Sequence, residues 1–258
     1  MRILVFGSTG TGKTSLCNTL SGYDMPVSDS AMGVTFKQYT YPKFGHEKII
    51  ITDTVGLNEN DKGTVSSAKG IEQLISLIRD SSDGYNLLIH VMKSPRITKS
   101  HADNYDFFIK AFTQYKIPCI LAVTGCENSE PMSIWADNNS EEFQKQGLIY
   151  EDIVSTCFSK GGRFENIYCD LREESRLSLM KSIKQHAKKN SIKIYENQEG
   201  YEALVKTTWN KFCSYIKKAD WQMIVDESMY QTLKRLGVPD RTARMLSTGI
   251  TNKISENI

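Results

Sequence analysis

Short apolar runs recur along the chain, each bounded by glycine, proline or polar clusters. Longer stretches with helical spacing lie between them. The runs predict strands at 2–6, 36–42, 48–53, 85–92, 117–123 and 152–158, and the intervening periodicity predicts helices near 13–20, 68–80, 101–115, 141–146 and 173–189. Lys43-Phe44-Gly45-His46-Glu47 reads as a hairpin-type turn, so the second and third strands are expected antiparallel and the rest parallel. The pattern therefore predicts an α/β fold of three layers around a mostly parallel six-stranded sheet with one antiparallel edge strand, and functional loops gathered at the C-terminal edge of that sheet. Residues 124–150 are polar and broken by Pro131, Asp137-Asn138-Asn139-Ser140 and Gly147, which predicts a loop-rich insertion with a short helix.

The last part of the chain is helical in pattern. Leu204, Trp209, Phe212 and Ile216 share one face of a helix over 200–218, and Trp221, Ile224, Val225, Met229, Leu233 and Leu236 suit a second. Gly237-Val238-Pro239-Asp240 then breaks the chain before a short helix at about 240–248. These stripes predict a helical extension over 191–258 packed on a first domain of 1–190, the sharper alternative being a partner-binding or dimer-forming helix. Lys181, Lys184, Lys188, Lys189 and Lys193 read as a solvated helix face.

Composition narrows the function classes. Of 258 residues, 32 are Lys or Arg and 30 Asp or Glu, a balance that argues against a nucleic-acid partner. The six cysteines, at 17, 119, 126, 157, 169 and 213, form no Cys-x-x-Cys pair and several fall in predicted strands, which suits a reduced, cytoplasmic setting. A first strand starting at Arg2-Ile3 leaves no room for a signal peptide. No run reaches the length of a membrane span, Ser255-Glu256-Asn257-Ile258 lacks a prenylation cysteine, and peripheral membrane contact is not indicated.

The chemistry concentrates in three places. Gly7-Ser8-Thr9-Gly10-Thr11-Gly12-Lys13-Thr14 lies between the run Ile3-Leu4-Val5-Phe6 and the helical stretch from Ser15 to Leu20. A strand, a glycine-rich loop and a helix in that order can wrap backbone N–H groups around phosphates, with Lys13 supplying charge and Thr14 a hydroxyl for Mg²⁺. The strand Lys48 to Thr52 ends in Asp53-Thr54-Val55-Gly56, where Asp53 can hold Mg²⁺ and the Gly56 N–H can reach a γ-phosphate. Between them, Thr35 of Gly33-Val34-Thr35 can close over the metal as a switch residue.

In this order the motifs resemble the G domain of translation-factor-class P-loop GTPases, and within it the branch holding septins, chloroplast outer-envelope import GTPases and immunity-associated AIG-type GTPases. The branch is suggested by Thr9 in Gly-x-Thr-Gly-x-Gly-Lys-Thr, by Gly33-Val34-Thr35, by Asp53-Thr54-Val55-Gly56-Leu57, and by Leu88 to Thr98, which resembles the AIG-type box after the fourth strand. Fungal G-domain-containing proteins look similar through the same stretch. The resemblance covers about residues 1–190. It implies GTP or GDP with Mg²⁺ as cofactors, held by Gly7, Ser8, Thr9, Gly10, Thr11, Gly12, Lys13, Thr14 and Ser15. Thr14, Thr35 and Asp53 are implied at the metal, and Lys13, Thr35, Gly56 and Arg96 in catalysis.

Base recognition departs from the common Asn/Thr-Lys-x-Asp pattern. Here it reads Thr124-Gly125-Cys126-Glu127. Glu127 can accept two hydrogen bonds from a guanine edge, and Gly125 stands where a lysine stem usually covers the base. Ser159-Lys160-Gly161-Gly162 resembles the loop that backs the base. Leu57 occupies the place of a water-orienting glutamine. The resemblance implies slow hydrolysis in the monomer, assisted by nucleotide-dependent homodimerisation across the nucleotide face, with Arg96 as the group donated in trans. A nucleotide-bound scaffold without useful turnover is the alternative, and an ATPase a third reading resting on Gly125 and Glu127. His90 is expected to be a half-buried strand residue, His101 a first-turn helix residue and His46 an exposed hairpin residue.

Overall fold

A computed structural model describes residues 1–22, 38–41, 49–54, 64–218, 222–224 and 229–255. Thr35, Gly56 and Leu57, the hairpin turn with His46, and Trp221 and Val225 lie outside the described residues.

The elements run β1 (Arg2–Phe6), α1 (Lys13–Ser21), β2 (Gln38–Tyr41), β3 (Ile50–Thr54), β4 (Thr64–Ser66), α2 (Ser67–Asp80), β5 (Leu87–Lys93) and α3 (Lys99–Tyr105). They continue with β6 (Cys119–Thr124), α4 (Ile134–Lys145), β7 (Asp152–Thr156), α5 (Glu165–His186), α6 (Gln198–Lys218), β8 (Gln222–Ile224), α7 (Met229–Arg235) and α8 (Asp240–Ser255). The main sheet has the order β2-β3-β1-β5-β6-β7. β3, β1, β5, β6 and β7 are parallel, and β2 pairs antiparallel with β3 at the edge.

Parallel strands covered on both faces read as nearly continuous apolar runs, and the central strands do, with His90 of β5 the buried exception. Leu4, Phe6, Leu88, Leu121 and Val123 face one layer, together with α2, α3 and α6. Ile3, Val5, Leu87, Ile89, Ile120 and Ala122 face the other, with α1 and α5. This alternation fixes the register that places Asp53 beside Val5, Phe6 beside His90 and Lys93 beside Thr124.

Several sequence expectations are corrected. The helix expected at 101–115 starts at Lys99 and passes at Asp106 into a π-helical stretch, Asp106–Phe112. Thr98 caps its start, accepting from the His101 N–H at 3.3 Å. Residues 124–150 hold a twelve-residue helix, Ile134–Lys145, because Phe143 and Ala136 bury against β7 and outweigh the polar run between them. α5 begins at Glu165, eight residues before the expected 173, and ends at His186, so Lys188, Lys189 and Lys193 follow the helix. The second C-terminal helix is divided: Gln222–Ile224 form β8, and helix resumes at Met229. The final helix extends to Ser255.

Trp209 and Phe212 of α6 are wholly buried in the same core cluster as α2 and the π-helical stretch. Lys211 Nζ meets Asp106 Oδ2 at 2.8 Å. β8 pairs in parallel with β4, immediately before α2.

Candidate functional site

The loop between β1 and α1 has geometry that few side chains permit. Gly7 sits at φ +144°, and a Cβ there would stand 2.2 Å from the Val91 carbonyl oxygen, so β5 can approach only a glycine. Gly12 heads α1 at φ +91° with no side-chain cap, and the first turn carries no acid. The positive end of the helix therefore points into the loop with no counter-charge of its own. Lys13 is 8% exposed, and its Nζ donates to the Gly7 and Ser8 carbonyls at 2.8 and 2.7 Å. Thr11 Oγ1 donates to the Ser8 carbonyl at 2.8 Å, closing the turn.

Asp53, the penultimate residue of β3, lies beside α1. The Thr14 hydroxyl donates to its Oδ2 at 3.0 Å, while Oδ1 is buried with no hydrogen-bond partner. Burial pushes the carboxyl up to about 6, against the pull of Lys13 and Thr14. A buried carboxylate oxygen without a partner next to a helix-terminal hydroxyl is a donor pair that suits Mg²⁺, which takes one or two protein oxygens and the rest from phosphate and water. No group of three His, Cys, Asp or Glu residues able to hold a metal occurs among the described residues.

The Thr124 hydroxyl is engaged within the protein. Oγ1 donates to the Thr11 carbonyl at 2.7 Å and lies 3.2 Å from the Met92 carbonyl, and its methyl would lie 3.3 Å from a Cβ on Gly12. It clamps the loop to the ends of β5 and β6. Glu127 Oε2 is buried without a partner, and its charge adds to the burial that pushes the nearby Cys157 thiol up to about 11. Ser159 and Lys160 are exposed on the loop after β7. That loop is held from α5: Arg172 donates to the Ser159 carbonyl at 2.9 Å and pairs with Glu165, whose Oε2 accepts the Gly161 N–H at 2.8 Å.

Arg96 is exposed and lines a cavity of about 150 Å³ together with Ser8, Thr9, Gly10, Thr11 and His101, so it stands at the mouth of the glycine-rich loop. Ser15 lies in the first turn of α1. Sequence reasoning missed Asn104, whose amide reaches Ser8 Oγ at 3.2 Å, and Arg172. Each arrives from a helix far along the chain, and neither carries a local motif.

His90 is fully buried rather than half-buried, because β5 lies in the middle of the sheet. It stacks on Phe6, with ring centroids 4.4 Å apart, and on His101, with centroids 4.0 Å apart. The Tyr150 hydroxyl sits between the two imidazoles, 2.8 Å from His90 Nδ1 and 2.9 Å from His101 Nε2. Burial lowers the pKa of both, that of His101 to about 4. All six cysteines are free, four of them buried.

Residues 2–125, a little under half the chain, match the family described as 50S ribosome-binding GTPase. The chain is 28% identical over 131 residues to GTPase Der of Leptospira borgpetersenii, covering 50% of this chain and 26% of that one. With GTPase Der of Leptospira interrogans it shares 26% identity over 147 residues, 56% of this chain and 28% of the other. It thus spans about a quarter of the length of these curated relatives. A structure of Era in complex with MgGDPNP and nucleotides 1506–1542 of 16S ribosomal RNA shares the fold, at TM-score 0.51 and 18% identity over 74% of this chain and 58% of Era. Residues 2–125 are thus similar to that GTPase family, and about half of the chain is similar to part of GTPase Der.

Proposed function

We propose that this chain binds guanine nucleotide with Mg²⁺ and hydrolyses GTP to GDP. The observation that carries the reading is the meeting of Lys13, Thr14 and the unpartnered Asp53 Oδ1 at an uncapped helix start. The nucleotide's phosphates take the loop N–H groups and Lys13, which turns from the Gly7 and Ser8 carbonyls toward them. Thr14 and Asp53 hold Mg²⁺, which when bound neutralises charge developing on the phosphate oxygens. Water attacks the γ-phosphorus, the bond to the β–γ bridging oxygen breaks, and GDP and phosphate leave. Thr35 and Gly56 take the switch positions. Thr124 acts by holding the loop, Glu127 accepts from the guanine edge, and Ser159 and Lys160 back the base.

Within this reading we place the chain in the septin and AIG-type branch, with slow turnover in the monomer and pairing across the nucleotide face. Residues 1–190 form the G domain, 191–258 a helical extension on it, and the setting is cytoplasmic. Leu57 keeps a second reading in view, a nucleotide-bound scaffold without useful turnover. The exclusion of nucleic acid from charge balance is dropped, since Era of the same fold is seen with 16S ribosomal RNA. No helix among the described residues is long and apolar enough to cross a membrane.

Two measurements test the core of this. Lys13→Ala removes a charge-assisted contact to phosphate of about 1.5–3 kcal/mol and is expected to lower GDP and GTP affinity at least about tenfold in calorimetry. Unchanged affinity would mean the loop does not hold phosphate. Competition of GTP and ATP for a fluorescent nucleotide is expected to favour GTP, and Glu127→Ala to weaken GTP while leaving ATP nearly alone. Equal affinity for both in the wild type promotes the ATPase.

A further inference from the structure

A nucleobase is a flat, largely apolar ring. A site that binds it well covers its faces as well as its polar edge. The edge group proposed here, Glu127, lies two residues beyond Gly125, and Gly125 has no side chain to lay over a ring. Gly125 is also a poor place to put one: its φ is +81°, and a Cβ there would stand 3.1 Å from Ser94 Oγ. The Ser94 hydroxyl donates to the Gly125 carbonyl at 2.7 Å, and the Ser94 N–H donates to the Thr124 carbonyl at 2.8 Å, so the end of β5 is laced to this turn.

The space beside Gly125 is filled from the neighbouring strand. Lys93, the last residue of β5, pairs in register with Thr124. Its Cγ and Cε lie 3.6 and 3.9 Å from the point where a side chain on Gly125 would begin, an ordinary van der Waals separation. Two atoms two bonds apart along one methylene chain, both at that distance, mean that the stem runs across the turn. Lys93 is exposed, so the face of the stem turned away from the protein has no cover. The same side chain lines the cavity with Ser8, Thr9, Gly10 and Thr11, which places it between the phosphate loop and the base turn.

We propose that Lys93 is the wall of the base subsite. Its methylenes form the surface on which a purine ring lies, in place of a side chain at position 125. This rests on the guanine-nucleotide reading. It assigns Lys93 a part in affinity and specificity, through contact with the ring rather than with phosphate. Long charged side chains commonly cover apolar surface with their stems while the charge stays in water.

The test separates ring from phosphate. Calorimetry with Mg²⁺ would compare GDP with inorganic tripolyphosphate, which has the charge but no base, for the wild type, Lys93→Ala and Lys93→Met. Lys93→Ala is expected to weaken GDP at least about fivefold and to leave tripolyphosphate within about twofold, and Lys93→Met, which keeps the stem and loses the charge, to recover most of the GDP affinity. Lys93 is exposed, and equal melting temperatures would confirm that the variants fold. Equal losses for GDP and tripolyphosphate would make Lys93 a phosphate counter-charge and overturn the inference, as would GDP affinity untouched in Lys93→Ala. A wild type that fails to prefer GDP over ADP instead sinks the guanine reading itself, before any variant is compared.

Discussion

Lowering the pH from 7.5 to 5 is expected to destabilise this protein, through two imidazoles beneath the phosphate loop. His90 and His101 are stacked with ring centroids 4.0 Å apart, and both bond the one Tyr150 hydroxyl. A hydroxyl has a single proton. It can donate to one ring and accept from the other, and His90 Nε2 and His101 Nδ1 are left buried and without partners, so burial favours the neutral form of both. A proton on either ring would put a charge in a buried place, with Lys13 already near His90. Folding therefore lowers both values, His101 from 6.5 to about 4. The unfolded chain takes up these protons as pH falls below 6.5 and the folded chain does not, so their contribution is whole above 6.5 and is lost on acidification. His101 loses about 2 kcal/mol between pH 6.5 and 5, and His90, lowered by burial in the same direction, adds to that loss. Asp53 works in the opposite sense. Its folded value, about 6, lies above the unfolded 3.8, so the folded state takes the proton first and regains part of that stability below about pH 6. Thermal melts should fall by several degrees between pH 7.5 and 5.5. His101→Phe keeps a ring against His90 and is expected to reduce the slope. A flat profile in the wild type would show that the pair is not held neutral.

The pattern of apolar runs was enough for the sheet, because strands buried on both faces must be nearly all apolar, and Ile3 to Phe6, Leu87 to Met92 and Cys119 to Val123 are. The phosphate loop was legible for another reason: three glycines, a lysine and a threonine at fixed spacing are a local backbone requirement, and the φ values of Gly7, Gly10 and Gly12 are what that requirement looks like in the fold. What stayed hidden depends on packing between distant segments. The polar run Asp137 to Ser140 reads as loop, yet Ala136 and Phe143 anchor it as a helix. Lys93 sits in a strand and looks like its solvated end until the register sets it beside Thr124. Nothing near His90 in sequence announces His101 or Tyr150. Glu127 and Asp53 were legible as acids, whereas their unpartnered oxygens, which give them their chemical meaning, required the fold.

Specific activity in GTP hydrolysis is expected to rise with protein concentration, and Arg96→Ala to flatten that rise while GTP binding persists. Lys13, Thr14 and Asp53 supply charge and metal, but Leu57 offers no hydrogen bond to an attacking water, so the site as proposed binds GTP and lacks a transition-state group. Arg96 is placed to supply one. It is exposed and shares the wall of the cavity with Ser8, Thr9, Gly10 and Thr11, at the mouth of the phosphate loop. A guanidinium facing outward from that position meets the nucleotide of a second copy when two such mouths oppose each other, and the pairing is reciprocal under two-fold symmetry. An arginine delivered to a transferring phosphoryl group raises turnover by about 10³–10⁵-fold, far more than any local rearrangement of one subunit offers. The measurement is phosphate release per protein molecule over a hundredfold range of protein concentration, with GTP saturating. A constant rate removes assisted pairing and leaves the scaffold reading. A rise that survives in Arg96→Ala keeps the pairing and moves the donated group elsewhere, with Asn58 and Glu59, which follow Leu57, the next to be replaced.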